Sequence, residues 1–362
     1  MNTIPPQIPN LKPLFPIGRC RLTEFDFINQ IDRMYTGLGI PTLYGTLSIL
    51  ANKSVFYIAG KGLGKTRVIN LIPKIEGTTE KRMDTFTLSA LDGYEIQNEH
   101  LVIRVEDFSS TSEYHRETFL RVFSKIISDG SYNHHTKGPN GVSIDIKNCR
   151  LTVLAAVQPL LYSNLCNKFT EWQSMSSDRF SKFMLLNPLR SETIDEEFVP
   201  TLPREIRDNV RFSSNDVDLG KVVSMYERQL SSGRAFLYAR DYVKAFARFL
   251  AAEKVEQKHV FQFYQLFHPY LESFNVLQEA KDLDSPIVVN TGKMKLLTQI
   301  ARHSDVVDKK KLADILCVTE RHIERCAEEL LNIGLIEKPR QAEYCLSKDL
   351  RQFFKWYSWL SS

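Results

Sequence analysis

A glycine-rich stretch near the start of the chain combines residue types that bind phosphate. Residues 55–58 have strand character, residues 59–66 read Ala-Gly-Lys-Gly-Leu-Gly-Lys-Thr, and a helical pattern follows at once. Gly60, Gly62 and Gly64 can adopt positive φ and leave room for backbone N–H groups to surround an anion. The positive end of the following helix would face the same anion. The pattern predicts a phosphate-binding loop.

The three residues that close this loop are candidates for nucleotide contacts. Lys65 would reach the β- and γ-phosphates, Thr66 would offer its hydroxyl to Mg²⁺, and Arg67 follows them at the start of the helix. Ala59 stands where the usual pattern has its first glycine. A glycine-rich turn without a ligand is the alternative interpretation. We expect ATP and Mg²⁺ as cofactors.

Two carboxylates follow the next strongly apolar strand. Residues 100–105 read as a strand, and Glu106 and Asp107 come directly after it. A parallel sheet would bring these acids to the edge that carries the phosphate loop. By position Glu106 would hold Mg²⁺ and Asp107 would take a proton from the attacking water. The usual order is Asp then Glu, so the individual roles stay open, and a solvated turn is the alternative.

The stretch from residue 130 to residue 158 is the next most informative. Residues 130–148 contain a central Gly-Pro-Asn-Gly, which predicts a β-hairpin with its tip at residues 138–141. Lys137 and Lys147 make this hairpin modestly basic, so it is either solvated or directed at a phosphate backbone. The buried strand that follows ends at Gln158, whose amide could reach a γ-phosphate or the attacking water.

The composition excludes few classes of protein or partner. With 362 residues, 43% hydrophobic and 25% charged, the chain reads as a soluble protein of two or three domains. We expect no membrane span and a cytoplasmic location, because no apolar run is long enough and no secretory signal is visible. A net charge of +4 permits a nucleic-acid partner without requiring one. Six cysteines without a C-x-x-C pair support neither a zinc site nor a disulfide framework.

Helical spacing dominates the second half of the chain. Three longer helices are predicted at residues 216–230, 235–253 and 257–280. The middle one carries an apolar stripe that we expect to be core, made of Phe236, Leu237, Tyr242, Val243, Phe246, Phe249 and Leu250. Three shorter helices are predicted at residues 293–302, 308–316 and 319–332. Two strands around a Lys-Pro-Arg tip follow them.

The order of these features resembles AAA+ P-loop ATPases of the presensor-1-hairpin group. The minichromosome-maintenance helicases are closest in pattern; superfamily 3 helicases, MoxR-like ATPases and σ54 activators share parts of it. The likeness covers about residues 40–190, including Ser-Asp-Arg-Phe before the last core strand. It implies an α/β fold with a P-loop NTPase parallel sheet, ATP hydrolysis and a homo-oligomeric, hexameric ring. The Gly-Ala-Phe-Thr-Gly-Ala loop of σ54 activators is absent, which argues against that branch.

The resemblance also implies roles for single residues. Gln158 would be the sensor, where such families more often have Asn, and Arg179 would be the arginine finger of a neighbouring subunit's site. A finger that acts between subunits can change turnover by about 10³–10⁵. The hairpin would point into a central pore. Arg240 and Arg248 are either solvated charges or sensors of the γ-phosphate.

The resemblance implies that the chain divides into four segments. Residues 1–50 would be an arm and lead-in helices, in place of the amino-terminal DNA-binding domain of minichromosome-maintenance helicases. Residues 51–190 would be the AAA+ core, residues 191–288 a helical lid and residues 289–362 a winged helix.

In a DNA-reading winged helix, the helix from Thr319 would enter the major groove with Arg321 and Arg325, and Lys338 and Arg340 of the wing would contact phosphate. Four glutamates lie on the same helix, and their negative charge weakens the case for binding in the major groove. A winged helix that docks on a protein is therefore the alternative.

The leading functional hypothesis is a ring-forming ATPase that acts on DNA, as a helicase or replication protein. One alternative is an initiator or loader whose nucleotide state switches its binding. Another is a MoxR-like remodeller of proteins.

Overall fold

The structure is a computed structural model. It describes residues 23–35, 37–59, 64–83, 94–108, 112–136, 141–158, 162, 177–185, 198–203, 205–213, 217–279, 296, 299–300, 303, 306–332 and 336–347. Gly60, Gly62 and Lys137, which the sequence nominates for binding, lie outside these residues, as does most of the hairpin tip.

The helices and strands alternate through the first half. They are α1 (Thr23–Met34), α2 (Gly39–Ala51), β1 (Ser54–Ile58), α3 (Lys65–Leu71), β2 (Thr79–Arg82), β3 (Tyr94–Gln97), β4 (His100–Val105), α4 (Glu113–Asp129), β5 (Tyr132–His135), β6 (Ser143–Lys147), β7 (Arg150–Val157) and β8 (Phe180–Met184).

The second half is mainly helical. Its elements are β9 (Arg211–Phe212), α5 (Gly220–Glu227), α6 (Ser232–Phe249), β10 (Lys254–Val255), α7 (Gln257–Glu279), β11 (Val307–Asp308), α8 (Lys309–Leu316), α9 (Glu320–Asn332), β12 (Ile336–Arg340) and β13 (Glu343–Leu346).

Five strands form one parallel sheet in the order β2-β4-β7-β1-β8. Every residue of β1, β4 and β8 is buried, which is the pattern of a parallel sheet that is covered on both faces. The predicted α/β fold with a parallel sheet is confirmed. We call the side where these strands begin the amino edge and the side where they end the carboxyl edge.

The strand order also marks a binding position. The chain passes from β7 over β1 to β8, so the strand order reverses at β1. Ligands of open α/β sheets bind at such a switch point, beyond the carboxyl ends of the strands. The phosphate loop predicted from the sequence follows β1 directly.

A second sheet, in the order β3-β6-β5, lies beside the first. The antiparallel pairing of β5 with β6, with Asn133 opposite Asp145, confirms the predicted hairpin. The sequence did not predict β3, which pairs in parallel with β6. Ile96, Ile144 and Ile146 are buried, so one face of this sheet packs inward.

Aromatic side chains join the helices of the second half to the parallel sheet. Tyr44 of α2 stacks on Phe183 of β8 at 4.5 Å between ring centroids and on Tyr242 of α6 at 4.8 Å. The buried hydroxyl of Tyr242 shares a hydrogen bond of 2.8 Å with Ser48 Oγ, so its polar atom is satisfied. The α5, α6 and α7 helices correspond to the three longer predicted helices; α5 is shorter at both ends, whereas α6 begins three residues before and ends four residues before its predicted bounds.

Two members of the predicted core stripe of α6 are not core. Phe236 is 49% exposed and Leu237 is 41% exposed, whereas Tyr242, Val243 and Phe246 are buried. In the first turns of α6, the core covers the side of the helix that carries Ala235, Tyr238 and Ala239, and it leaves Phe236 and Leu237 exposed. Helical spacing predicts the apolar stripe but not where its neighbours stop.

The carboxyl-terminal elements form a three-stranded sheet, β11-β13-β12, with antiparallel pairing. Asp308 caps α8 by accepting from the backbone N–H of Lys310 at 2.7 Å. Ile323 and Leu330 are buried, so α9 packs on the same core. The helices and the two strands predicted between residues 308 and 346 are present; most of the helix predicted at residues 293–302 lies outside the described residues.

Among the described residues, no helix is long and apolar enough to span a membrane. No group of three or more His, Cys, Asp or Glu side chains in the same residues is arranged to hold a metal ion.

Candidate functional site

The end of the phosphate loop contacts the end of the acidic strand. Gly64 has φ 81° and ψ 15°, a left-handed conformation that favours glycine, and α3 begins at the next residue. The buried Lys65 donates from Nζ to the carbonyl oxygen of Ala59 at 2.8 Å. Thr66 donates from Oγ1 to the main-chain oxygen of Glu106 at 3.2 Å. A buried ammonium, a hydroxyl and a strand-end acid therefore lie together at the carboxyl edge.

Burial also changes the acid–base behaviour of Lys65. Loss of hydration lowers the pKa of this ammonium, and the nearby carboxylate of Asp107 opposes that effect. A bound anion would also favour the charged form of Lys65, because its negative charge would compensate for the hydration that the ammonium loses on burial.

Main-chain hydrogen bonds bring the ends of β4 and β7 to the same edge as the end of β1. Ala59 N–H donates to Val157 O at 3.3 Å, and Phe108 N–H donates to Ala156 O at 2.9 Å. The segment that holds Asp107 and the half-buried Gln158, which follows β7, therefore reaches the same edge as Lys65. The structure brings together four of the predicted catalytic and nucleotide-binding positions, namely Lys65, Thr66, Glu106 and Gln158, with Asp107 beside them.

Arg82 lies beside Glu106, a relationship that sequence reasoning missed. Its Nη1 is 3.6 Å from Glu106 Oε1, and its side chain is 62% exposed. The contact arises because β2 and β4 are paired in parallel with Arg82 opposite Arg104, so both strands end at the same edge. One candidate metal ligand therefore already has a cationic partner.

A second missed residue, Arg104, fastens α3 to the sheet. It is 3% exposed, and its Nη1 donates to the carbonyl oxygens of Ile69 at 2.8 Å and Ile72 at 2.6 Å. Its Nη2 pairs with Glu80 Oε1 at 2.8 Å. A cation at the carboxyl end of a helix satisfies its last carbonyl groups and complements its dipole. Arg104 thus fixes the helix that begins with Lys65 and Thr66.

Arg67, predicted to contact nucleotide, lies instead against the segment between α1 and α2. Its guanidinium is 4.7 Å from the centroid of the buried Tyr35 ring, at a cation–π distance. Nearby, Asp32 Oδ1 accepts from the backbone N–H of Gly37 at 3.0 Å and Gly39 at 2.8 Å, which fixes the start of α2. Burial raises the pKa of Asp32 to about 7, although these donors lower it.

Arg179 lies at the amino edge, opposite the phosphate loop. It precedes β8, whose first residue pairs with Ser54 at the start of β1. The five residues of β1 span about 16 Å at roughly 3.3 Å each. Arg179 therefore cannot reach the phosphate position at Lys65 of its own chain.

The Arg179 side chain is half-buried and held by neighbours. Its Nε donates to Ser128 Oγ near the end of α4 at 2.6 Å, and its carbonyl accepts from Tyr238 OH at 2.6 Å. Partial burial, followed by the nearby Arg234, lowers the pKa of its guanidinium. Arg234 in turn pairs with Asp178 Oδ2 at 2.9 Å. The amino edge thus carries two neighbouring guanidinium groups.

Arg240 and Arg248, whose roles the sequence left open, have partners within the chain. Arg248 donates from Nη1 to Leu50 O at 2.9 Å and from Nε to Arg207 O at 2.8 Å. Leu50 precedes β1, so these contacts lie towards the amino edge, away from Lys65. Arg240 pairs with Asp241 at 2.8 Å.

The hairpin offers less basic charge than predicted. Lys147 lies at the base of the hairpin, at the end of β6, and its Nζ pairs with Asp145 Oδ2 at 2.6 Å. This pairing partly neutralises the charge that was expected to face a phosphate backbone. Lys137, nearer the tip, is outside the described residues.

The start of α9 carries exposed side chains of both charges. Lys309 lies 3.1 Å from Glu320 Oε2 and 2.6 Å from Glu324 Oε1, so two of the four glutamates already have a cationic partner. Arg321 and Arg325 are exposed one helical turn apart.

Lys338 and Arg340 extend this basic surface on β12. Both are exposed, and Arg340 is 3.9 Å from Glu343, a distance that leaves this ion pair weak. Four of the six basic residues nominated for DNA therefore lie on the carboxyl-terminal elements α9 and β12.

No protein-family model and no curated protein matches the chain. Among solved structures, the chain is similar to a full-length MCM homolog from Methanopyrus kandleri, with 13% identity and a TM-score of 0.37. The alignment covers 69% of this chain and 58% of that protein, so the chain spans less than two thirds of its length.

Proposed function

We propose that this chain is a ring-forming AAA+ ATPase that uses ATP hydrolysis to move on or remodel DNA, as a helicase or replication protein. The observation that supports ATP hydrolysis best is the contact of Thr66 Oγ1 with the Glu106 main chain, beside the buried Lys65. It unites the two motifs that phosphoryl transfer requires at one edge of a parallel sheet.

The side chains at this edge fit a nucleotide with Mg²⁺. Mg²⁺ prefers oxygen ligands, and the Thr66 hydroxyl and the Glu106 carboxylate supply them. Because the Thr66 hydroxyl hydrogen is directed at a carbonyl, its lone pairs are available to a cation. The ammonium of Lys65 would neutralise phosphate charge. When bound, ATP and Mg²⁺ supply the reacting phosphoryl group and its charge compensation.

Other residues would act on the attacking water. We assign Asp107 as the group that accepts its proton and Gln158 as the amide that orients it, because both follow strands that end at this edge. The metal-side role then belongs to Glu106.

Arg179 would complete the site of a neighbouring copy. Its place at the amino edge separates it from its own Lys65 by the length of β1. A guanidinium supplied by a second chain stabilises charge on the transferring phosphoryl group. Hydrolysis then depends on assembly, which we propose to be a ring of six copies.

The proposal also covers the division of the chain into segments. We propose an AAA+ core at residues 51–190, a helical lid at residues 191–288 built from α5, α6 and α7, and a winged helix at residues 289–362. The order β11, α8, α9, β12, β13 with antiparallel strand pairing supports the last assignment.

DNA is the proposed substrate because of the surface of α9. The pairing of Lys309 with Glu320 and Glu324 partly neutralises the acidic charge that opposes groove binding. Arg321 and Arg325 would face base edges, and Lys338 and Arg340 would contact phosphate.

The ATPase proposal is tested by Lys65→Ala, with release of inorganic phosphate and binding of fluorescent ATP as readouts. We expect hydrolysis to be lost. The matched control is Lys74→Ala, the same substitution at an exposed lysine beyond the end of α3, which should hydrolyse ATP like the wild type. Equal hydrolysis by wild type and Lys65→Ala would exclude this site.

The DNA proposal is tested by anisotropy of a labelled duplex at several salt concentrations. Lys338→Ala/Arg340→Ala, which removes the two proposed phosphate contacts, should weaken binding and lower the salt slope by up to about 2, at roughly 0.9 for each phosphate that the protein no longer neutralises. Lys74→Ala/Lys125→Ala removes the same charge elsewhere and should leave the slope unchanged.

The same proteins distinguish the alternatives. Strand separation coupled to hydrolysis identifies a helicase. ATP-dependent DNA binding with slow turnover and no strand separation identifies an initiator or loader. Hydrolysis that DNA does not affect, but that a protein stimulates, identifies a remodeller and contradicts the DNA proposal.

A further inference from the structure

The turn between α8 and α9 carries exposed apolar side chains. Ile315 is 43% exposed and Val318 is 36% exposed, and the exposed Cys317 lies between them. We call these three residues the apolar turn surface. Apolar side chains grouped on the surface of a folded chain mark a contact site, whereas scattered ones need no explanation.

Main-chain hydrogen bonds hold the apolar turn surface together. Cys317 has φ 53° and ψ 46°, and its N–H donates to Asp314 O at 3.3 Å. Val318 N–H donates to Ala313 O at 3.0 Å. These two bonds form a Schellman motif, which folds the residues after a helix back over its last turn. Val318 therefore lies beside the last turn of α8, which carries Ile315.

Residues 348–362 lie outside the described residues, but they follow β13, which ends close to this surface. β11 and β13 are antiparallel with Val307 opposite Tyr344, so residue 345 lies opposite Val306. From Val306 to Val318 the chain covers at most about 26 Å, because most of that path is the helix α8. The nine residues 348–356 span about 30 Å when extended, so they can reach the apolar turn surface.

The residues that follow β13 are rich in aromatic side chains. We call residues 348–362 the aromatic segment; its large apolar residues are Leu350, Phe353, Phe354, Trp356, Tyr357, Trp359 and Leu360. Aromatic side chains bury a large apolar area when they dock. A segment tethered at this distance has an effective concentration on the order of millimolar, which exceeds that of a second copy in dilute solution.

We infer that the aromatic segment packs its aromatic side chains on the apolar turn surface of its own chain. Exposed charges around this surface are mixed in sign: Lys311, Asp314, Glu320 and Arg321. Apolar burial, rather than charge, therefore selects the segment. This contact is independent of ATP hydrolysis, because none of these residues belongs to the nucleotide site.

The first test is tryptophan fluorescence of the full chain. Two of its three tryptophans, Trp356 and Trp359, lie in the aromatic segment, and Trp172→Phe removes the third. In this background, Ile315→Ser/Val318→Ser should move the emission to longer wavelength and increase its quenching by acrylamide, because the two indole rings enter water.

The matched control is Val199→Ser, which changes another exposed apolar residue, 64% exposed, and should leave the emission unchanged. Circular dichroism establishes that each variant folds, as expected for substitutions at exposed positions. An emission that does not respond to Ile315→Ser/Val318→Ser, or that is already typical of water-exposed tryptophan when the surface is intact, would overturn the inference.

The second test leaves α8 and its turn unchanged and follows the thiol of Cys317. In Trp356→Ser/Trp359→Ser, Cys317 should react with iodoacetamide at least about tenfold faster than in the wild type, a factor equivalent to about 1.4 kcal/mol of protection. Mass spectrometry of the peptide that contains Cys317 measures the rate. The control Tyr114→Ser changes another exposed aromatic residue, 68% exposed, and should react like the wild type. Equal rates in all three proteins would refute the contact.

Dilution distinguishes the two possible occupants of the apolar turn surface. If the segment docks on its own chain, the tryptophan emission stays the same at every protein concentration. If it docks on a second copy, the emission moves to longer wavelength as the protein is diluted, and the assignment to the same chain is wrong.

Discussion

Lys65 and Arg179 lie at opposite edges of one parallel sheet, separated by the length of β1. Lys65 follows the strand and is tied back to Ala59, whereas Arg179 precedes β8, whose first residue pairs with Ser54. A single chain therefore cannot bring both cations to one phosphate. If both act in hydrolysis, each site takes them from two copies.

Arg82 provides a prediction about metal dependence. Its guanidinium is 3.6 Å from Glu106, so it competes with a cation for that carboxylate. An exposed pair contributes about 0.2–1 kcal/mol, which corresponds to roughly a 1.4- to 5-fold change in an equilibrium constant. Arg82→Ala should lower the Mg²⁺ concentration for half-maximal hydrolysis by that factor. Titration of Mg²⁺ in a phosphate-release assay measures it.

Arg82→Lys is the control for this competition, because it keeps the positive charge. Its Mg²⁺ midpoint should stay near that of the wild type. A higher Mg²⁺ requirement in Arg82→Ala would contradict competition and indicate that the arginine helps to hold Glu106 in place.

Arg104 provides a prediction about stability. Arg104→Met removes the guanidinium that binds the carbonyl oxygens of Ile69 and Ile72, and it leaves Glu80 without its buried partner. Breaking a buried pair from one side costs about 3–5 kcal/mol. Urea denaturation should show a loss of that order in the free energy of unfolding.

The matched control is Arg121→Met on the exposed face of α4, which should change the free energy of unfolding by less than about 0.5 kcal/mol. Because α3 begins with Lys65, Arg104→Met should also weaken ATP binding under conditions where the protein remains folded. A loss of stability below about 1 kcal/mol for Arg104→Met would rule out its anchoring role.

His100 and His259 provide a prediction about pH. Burial, followed by Arg150 and Arg248, lowers the pKa of His100 to about 4, and burial together with Lys258 lowers the pKa of His259 to about 4. The unfolded chain binds these protons near pH 6.5 and the folded chain does not. The free energy of unfolding therefore falls as the pH is lowered from 6.5 towards 4. At pH 5 the loss is roughly 2 kcal/mol per histidine.

The measurement is urea denaturation at pH 7 and pH 5 for the wild type and for His100→Gln/His259→Gln. The variant should lose less stability between the two pH values than the wild type. Asp32, whose raised pKa acts in the opposite direction, is present in both proteins and cancels in the comparison. Equal losses would mean that the two histidines are not buried in the neutral form.

Much of the fold follows from local sequence patterns. Apolar runs bounded by glycine or by acids predicted β1 and β4, and helical spacing predicted α6 and α9. The sequence also placed Lys65 and Thr66 after the loop that follows β1. It placed Glu106 and Asp107 directly after β4, because a strand that is buried on both faces has few polar residues except where it stops.

The contacts around these residues depend on register between distant strands. Arg82 meets Glu106 because β2 pairs with β4, and no local pattern specifies that pairing. Arg104 is a charged residue within a buried strand, and its role depends on where α3 ends. Phe236 and Leu237 fit a helical stripe, but periodicity cannot show where along a helix its neighbours stop.

A complementation assay tests the central claim most directly. Lys65→Ala lacks the phosphate-loop ammonium but supplies Arg179, and Arg179→Ala has the reverse defect. Each alone should hydrolyse ATP at least about 10³-fold more slowly than the wild type, and an equimolar mixture should recover a measurable part of the rate. Full activity of Arg179→Ala alone, or no recovery on mixing folded and assembled variants, would contradict a site shared between two copies.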